Sequence, residues 1–106
     1  MYDRVFICSP YSGDIERNCV IARALCRKAT ERGIAPFAPH LVYPQLLNDK
    51  DPYERKKGMD FGLAFLEKCD EVWVYDGNGI TPGMKKEIES ASSIGIPVRF
   101  VNLEAE

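Results

Sequence analysis

The sequence predicts an α/β fold, a Rossmann-like three-layer arrangement in which a four-stranded, mainly parallel sheet carries helices on both faces. Two observations predict it. Short runs of β-branched and aromatic residues alternate with longer segments whose apolar residues recur every three or four positions, and right-handed crossovers turn that alternation into a parallel sheet. The length of 106 residues allows one hydrophobic core, so we expect a single domain over residues 1–106.

The first half of the chain predicts a strand, a helix and a second strand. The run RVFIC from Arg4 to Cys8 is a short strand that stops at the turn formers of residues 9–13. Residues 34–38 predict a second strand, and Pro36, which lacks an N–H group, restricts that strand to the edge of the sheet. Between the two strands, residues 14–32 predict an amphipathic helix whose inner stripe consists of Ile15, Cys19, Ala22, Cys26 and Ala29.

The second half repeats the alternation twice, after an irregular segment at residues 39–50. An N-cap residue followed by proline begins one helix at residues 51–52 and another at residues 81–82. The runs EVWVY at residues 71–75 and PVRFV at residues 97–101 predict the third and fourth strands. The helix before the third strand repeats an apolar residue every four positions, at Phe61, Phe65 and Cys69.

Composition narrows the classes of function. Fourteen basic and sixteen acidic side chains give a net charge of -2, which argues against a broad nucleic-acid surface. No stretch reaches the roughly 18 apolar residues of a membrane helix and no signal-peptide pattern is present, so we expect a cytoplasmic protein. The four cysteines form no CxxC pair and have no companions at metal-ligand spacing. We therefore expect reduced thiols in the core, no metal and no cofactor.

A glutamate on the third helix is the most informative single residue. Ligands of open α/β sheets bind beyond the carboxyl ends of the strands, which here involves residues 9–13, residues 76–82 and part of residues 38–44. Glu87 lies about 60° from Met84 on a helical wheel, so it borders the apolar stripe and faces this edge. A half-buried carboxylate there can act as a base or nucleophile. A boundary glutamate that reaches water is an equally good interpretation.

Other polar residues at the same edge are weaker candidates. The phenol of Tyr11 can bond a carboxylate or a sugar hydroxyl, or its ring can simply pack over the sheet. Ser12 and Gly13 precede the first helix and Thr81 precedes the third, so both helix starts offer N–H groups to a phosphate, although turn formation and capping also explain these residues. His40 can donate to a ligand or anchor its loop by a hydrogen bond.

Three short motifs, taken together and in order, resemble the nucleoside 2-deoxyribosyltransferase-like superfamily, and above all its small uncharacterised bacterial and phage members. That superfamily includes deoxyribosyltransferases and nucleoside 5′-monophosphate N-glycosidases. The resemblance covers nearly the whole chain and implies a Rossmann-like sheet, a nucleotide or nucleoside as the small-molecule partner, and a homodimer or larger assembly. The motifs are FICSPYSG at residues 6–13, CDEVWV at residues 69–74, and Gly83-x-x-x-Glu87 with Ala91 and Gly95-x-Pro97 after it.

The resemblance also implies roles for individual residues. Glu87 becomes the nucleophile that attacks the anomeric carbon of a (deoxy)ribose and displaces the base, leaving a glycosyl ester that passes to water or to another base. Tyr11 matches the loop position that orients this nucleophile, and Ser9, with the loop that follows it, matches the sugar and phosphate cradle. Thr81 matches a phosphate-binding serine of the nucleotide hydrolases, which favours a phosphorylated substrate. Gly83 belongs to the same substrate-binding motif.

One position departs from the superfamily pattern. Characterised members carry an aspartate eight residues before the acidic residue that is Asp70 here, and this chain has Gly62 instead. Asp60 would point about 200° away on a regular helix, so Asp76 is the better candidate for the general acid. We therefore expect an N-glycosidase or (deoxy)ribosyltransferase. The alternatives are a noncatalytic nucleotide-binding module, which Gly62 favours, and a purely structural assembly unit.

Overall fold

Strands and helices follow one another in the predicted order in a computed structural model, which describes residues 1–103. Two short 3₁₀ turns, Pro39–Leu41 and Tyr43–Gln45, lie in the irregular segment before the second helix. The strands are β1 (Arg4–Cys8), β2 (Ala35–Phe37), β3 (Glu71–Val74) and β4 (Val98–Phe100), and the helices are α1 (Ile15–Glu31), α2 (Pro52–Leu66) and α3 (Pro82–Ser93).

The four strands form one sheet in the order β2-β1-β3-β4, with every neighbouring pair parallel. The predicted edge position of β2 is confirmed, and Pro36 lies opposite Val5 in the register. Cys8 lies opposite Val74, so β1 and β3 end at the same edge of the sheet. The strand order reverses between these two strands, which makes their carboxyl ends the expected ligand position.

The sheet separates two hydrophobic cores, because successive residues of a strand point to opposite faces. Helix α1 covers one face and packs against alternate residues of β1 and β3, namely Val5, Ile7 and Trp73. Helices α2 and α3 cover the other face through Leu66, Met84 and Ala91, which pack against Phe6, Cys8, Val72 and Val74. This three-layer arrangement confirms the predicted fold class. No helix within residues 1–103 is long and apolar enough to cross a bilayer.

The inner stripe predicted for α1 is correct at Ala22 and Ala29, but the buried side of the helix is centred elsewhere. Ile15 is 45% exposed, whereas the buried residues are Asn18, Ile21, Ala22, Leu25 and Ala29. The prediction followed the apolar residues, but the helix turns a polar residue inward, because the Asn18 side chain bonds the loop after β1. The elements are also shorter than predicted at β2 and β4, which have three residues each.

The prediction of four buried thiols is only partly correct. All four cysteines are free, but only Cys8 is fully buried, whereas the others are half-buried. Cys19 and Cys26 lie beside the buried stripe of α1, and Cys69 lies in the turn after α2. Each of these three therefore keeps part of its side chain in solvent.

Candidate active site

A cavity of about 120 Å³ opens at the carboxyl edge of the sheet. Since a water molecule occupies roughly 10–15 Å³ on the same measure, the enclosed part has room for roughly ten waters. The wall comes from four parts of the chain: the loop after β1, the irregular segment of residues 39–49, one side of α2 and the beginning of α3. These are elements that the strand order brings to the switch point.

Glu87 lies in this cavity, on the second turn of α3. Its side chain is 3% exposed, and its Oε1 atom has no hydrogen-bond partner within the described part of the chain. Glu87 is thus not a boundary residue that reaches water. Burial raises the pKa of Glu87 to about 8, against a hydrogen bond from the Cys8 thiol that lowers it. The carboxyl group is therefore mostly protonated at neutral pH, and a favourable ligand can ionise it.

Cys8 ties the end of β1 to the beginning of α3. Its Sγ atom donates to the backbone oxygen of Met84 at 3.6 Å, one turn before Glu87. Burial, with the nearby Glu87 carboxylate, raises the pKa of the thiol, so Cys8 stays protonated and acts as a donor. Sequence reasoning treated Cys8 only as a core residue. The signal that it missed is strand alternation, which turns Cys8 to the face that α3 covers.

The opposite wall brings Tyr11, His40 and Asp49 together. The rings of Tyr11 and His40 lie 5.2 Å apart between centroids. Burial lowers the pKa of His40, against a hydrogen bond to the Ser9 backbone and the nearby Asp49 carboxylate, so the imidazole is neutral at neutral pH. His40 thus both anchors its segment and lines the cavity. Asp49 was missed by sequence reasoning, because it lies in a segment without hydrophobic periodicity.

Asn18 holds the Tyr11 loop in place from the other side. Its Nδ2 atom donates to the backbone oxygens of Tyr11 and Ser12, at 2.9 and 3.2 Å. The side chain is buried at the beginning of α1. A polar residue in an amphipathic helix carries no signal of this role by itself, so sequence reasoning missed it.

Four of the predicted binding residues line the cavity, namely Ser12, His40, Thr81 and Gly83. Ser12 and Thr81 also line a second, neighbouring cavity of about 300 Å³, together with Arg17 and Asn78. The two cavities therefore meet near the N-termini of α1 and α3.

Three other predicted residues line neither cavity. Ser9 is buried beside Cys8, and its hydroxyl has no hydrogen-bond partner among residues 1–103. Gly13 shapes the turn before α1 with a φ of 98°, a conformation that favours glycine. Asp76 is exposed, as is the rest of the loop at residues 76–80. The structure does not bring Asp76 into the cavity wall.

Thr81 has a structural role that can be measured separately. Its Oγ1 atom accepts a hydrogen bond from the Met84 backbone N–H at 3.1 Å. Thr81→Ala is expected to lower the free energy of unfolding by about 1 kcal/mol, because it removes this cap. Urea unfolding followed by circular dichroism checks the value, with Thr81→Ser as the matched control that keeps the hydroxyl. Equal midpoints for the alanine and serine variants would contradict the capping role.

Within residues 1–103, no three His, Cys, Asp or Glu side chains are grouped in a way that can hold a metal ion. What the cavity offers instead is one buried carboxyl group, backbone N–H groups at the beginning of a helix, and aromatic walls. Such an arrangement can attack an electrophilic carbon and hold an organic ligand in place.

Comparison with known proteins places the fold. The family described as a domain of unknown function, DUF7768, matches residues 3–101. A proline–tRNA ligase of Thermotoga neapolitana is 39% identical over 64 residues, which are 60% of this chain but 11% of the ligase, so the chain matches about a tenth of that relative's length. A 2-deoxyribosyltransferase of Bacillus psychrosaccharolyticus superposes with a TM-score of 0.74 at 14% identity, covering 95% of this chain and 78% of that one. This likeness shows a shared fold.

Proposed function

This chain belongs to the DUF7768 family, and we propose that it cleaves or transfers at the N-glycosidic bond of a nucleoside or nucleotide, with Glu87 as nucleophile. One observation carries the proposal. A carboxyl oxygen of Glu87 is buried without a partner in a cavity at the switch point of a deoxyribosyltransferase-like fold. A buried polar atom without a protein partner is costly unless a ligand satisfies it.

The proposed reaction has two steps. Glu87 first loses its proton to solvent. A carboxylate oxygen then attacks C1′ of the sugar while the bond from C1′ to the base nitrogen breaks, its electron pair going to the base. In the second step a water oxygen attacks C1′, the ester bond to Glu87 breaks, the carboxylate is regenerated and the water proton leaves to solvent. A second base in place of water makes the same step a transfer.

Other cavity residues take supporting roles in this proposal. The phenol of Tyr11 orients the carboxylate or a sugar hydroxyl, and His40, held neutral by burial, presents an N–H or ring nitrogen to the ligand. Ser12, Thr81 and Gly83 face the ligand where the beginnings of α1 and α3 favour a phosphate. For a base that must be protonated as it leaves, Asp76 is the proposed donor, and it has to reach the cavity from an exposed loop.

The test is release of free base from a panel of ribo- and deoxyribonucleosides and their 5′-monophosphates, followed by chromatography. We expect release for at least one member, with a kcat/KM that rises with pH and levels off near pH 8, because the free protein must first ionise Glu87. Glu87→Ala is expected to abolish release. Release that survives this substitution undiminished, or a flat pH profile, would reject the assigned nucleophile.

A noncatalytic nucleotide-binding module is the second candidate. Two observations favour it: Gly62 has no acidic side chain to protonate a leaving base, and the similar stretch of the proline–tRNA ligase is a small part of a longer enzyme. Saturable binding by calorimetry without base release supports the binding module. A covalent glycosyl adduct on Glu87, detected by mass spectrometry after acid quenching, excludes it.

We also propose that the chain forms a homodimer or a larger assembly. The outer side of α2 exposes Phe61 and Phe65 by 46% and 51%, and Phe65 stacks on Phe37 with ring centroids 4.6 Å apart. An aromatic surface of this kind is commonly covered by another protein surface.

A further inference from the structure

The wall of the main cavity carries more acidic than basic side chains. Among residues 1–103, three carboxyl groups line it, those of Asp49, Glu54 and Glu87, against one guanidinium, that of Arg55. His40 adds no charge at neutral pH, because burial lowers its pKa. Arg55 is itself exposed, whereas Glu87 is fully buried. With Glu87 protonated, Asp49 and Glu54 outnumber Arg55 on the described wall, and ionising Glu87 adds a buried negative charge with no positive group beside it.

Glu87 has no positive partner of its own. No ion pair between described side chains includes it, and its Oε1 atom makes no hydrogen bond within residues 1–103. A buried carboxylate without a counter-charge is strongly disfavoured, and its ionised form requires a cation or several donors close by. In this cavity the ligand has to supply them.

The aromatic groups of the wall fit a cation as well. Tyr11, Tyr43 and His40 all line the cavity, and the rings of Tyr11 and His40 lie 5.2 Å apart. The faces of such rings attract positive charge, most strongly where water is excluded. Carboxyl groups and aromatic rings together form the usual protein environment of an organic cation.

Resting on the function proposed above, we propose that the ligand is a nucleoside or nucleotide whose base is positively charged at the glycosidic nitrogen or in the same ring, as in an N-ribosylpyridinium or an N7-alkylated purine. When the carboxylate of Glu87 bonds to C1′ and the C1′–N bond breaks, the electron pair neutralises the positive ring. The base then leaves as a neutral molecule and takes up no proton. This substrate class needs no general acid. It therefore suits a site that has Gly62 at the position of the acid and Asp76 outside the cavity.

Matched pairs of probes test the charge preference. Nicotinamide riboside is paired with benzamide riboside, a neutral C-nucleoside of nearly the same shape, and 7-methylguanosine is paired with guanosine. We expect calorimetry to show at least about tenfold tighter binding of the charged member of each pair. We also expect a larger rate enhancement for 7-methylguanosine than for guanosine, each measured against its uncatalysed hydrolysis. Equal or weaker binding of the charged members overturns the proposal, as does no binding of any probe.

Two variants on α3 test whether Glu87 causes the preference for positively charged ligands. Glu87→Gln keeps the shape of the side chain but cannot be ionised, and is expected to reduce the charged-to-neutral affinity ratio several-fold. Glu89→Gln makes the same change at an exposed position outside the cavity and is expected to leave the ratio unchanged. A ratio that survives Glu87→Gln contradicts the proposal.

The experiments distinguish failure of the proposed glycosidic function from failure of the proposed ligand class. Base release from neutral nucleosides without a charge preference keeps the glycosidic function and rejects the ligand class. A charge preference without any base release keeps the ligand class and rejects catalysis.

Discussion

Glu87→Gln is expected to lower the rate of base release by on the order of 10⁴-fold or more, because an amide oxygen cannot replace a carboxylate as the nucleophile. The substitution changes one atom of a residue that is 3% exposed, so its contact with Cys8 is retained. The measurement is kcat/KM for the best substrate of the nucleoside panel. Calorimetry with the same substrate should show that binding persists, which separates a lost nucleophile from a lost site.

Glu89→Gln is the matched control for this experiment. It makes the same chemical change two residues further along α3, where the side chain is exposed. We expect it to retain the full rate and to form the same glycosyl adduct on Glu87 as the unaltered protein. If Glu87→Gln and Glu89→Gln lose activity to the same extent, Glu87 is not the nucleophile.

The second large effect is on stability. Glu87→Gln is expected to make the protein more stable than the unaltered chain at alkaline pH, by a few kcal/mol. The unfolded chain releases the Glu87 proton near the ordinary pKa of 4.5, whereas burial raises the pKa in the folded protein to about 8. Between these pH values the folded state holds a proton that the unfolded state has lost. Raising the pH there lowers the free energy of unfolding by about 1.4 kcal/mol per pH unit.

Urea unfolding of both proteins from pH 4 to pH 9 measures this difference. We expect the stabilities of the unaltered protein and of Glu87→Gln to separate as the pH rises through the window from 4.5 to about 8, and then to stay apart. Glu89→Gln should follow the unaltered protein throughout. Curves that stay parallel over the whole range would mean that Glu87 is not protonated in the folded state.

The fold was predictable because its signals are local. An N-cap residue followed by proline marks the beginning of α2 and of α3, and Pro36 correctly restricts β2 to the edge. The burial of Asn18 in α1 was not predictable, because its cause is a pair of hydrogen bonds to loop residues six and seven positions earlier. The hydrophobic pattern of the sequence does not indicate those hydrogen bonds.

Helix α2 shows the same limit in another form. Phe61 and Phe65 repeat at helical spacing, yet both are about half exposed, because the inward side of α2 is taken by Gly62 and Leu66. Phe65 instead stacks on Phe37, the last residue of β2, and Phe61 contacts the ring of Tyr43. Periodicity predicts that a stripe exists, but tertiary packing decides which side is buried.

The candidate site was predictable at its centre and over part of its wall, where Tyr11, His40 and Thr81 line the cavity as predicted. A helical wheel is sufficient to place Glu87 against the core near the sheet edge, since both facts depend on one helix. Asp49 and Cys8 could be recognised as site residues only from the tertiary structure. Asp49 lies in a segment without periodicity, and Cys8 contacts α3, which is far away along the chain. Asp76 illustrates the converse, because proximity to a strand end in sequence did not bring it into the cavity.

The irregular wall of the cavity, residues 39–49, is the part of the site whose sequence can change most easily between related proteins. This segment supplies His40, Tyr43 and Asp49, whereas Glu87 is held by a regular helix. Insertions and deletions accumulate in such connecting segments at little energetic cost to the sheet. Paralogous chains can therefore acquire new ligand preferences through changes in residues 39–49, while the glutamate on α3 is inherited unchanged.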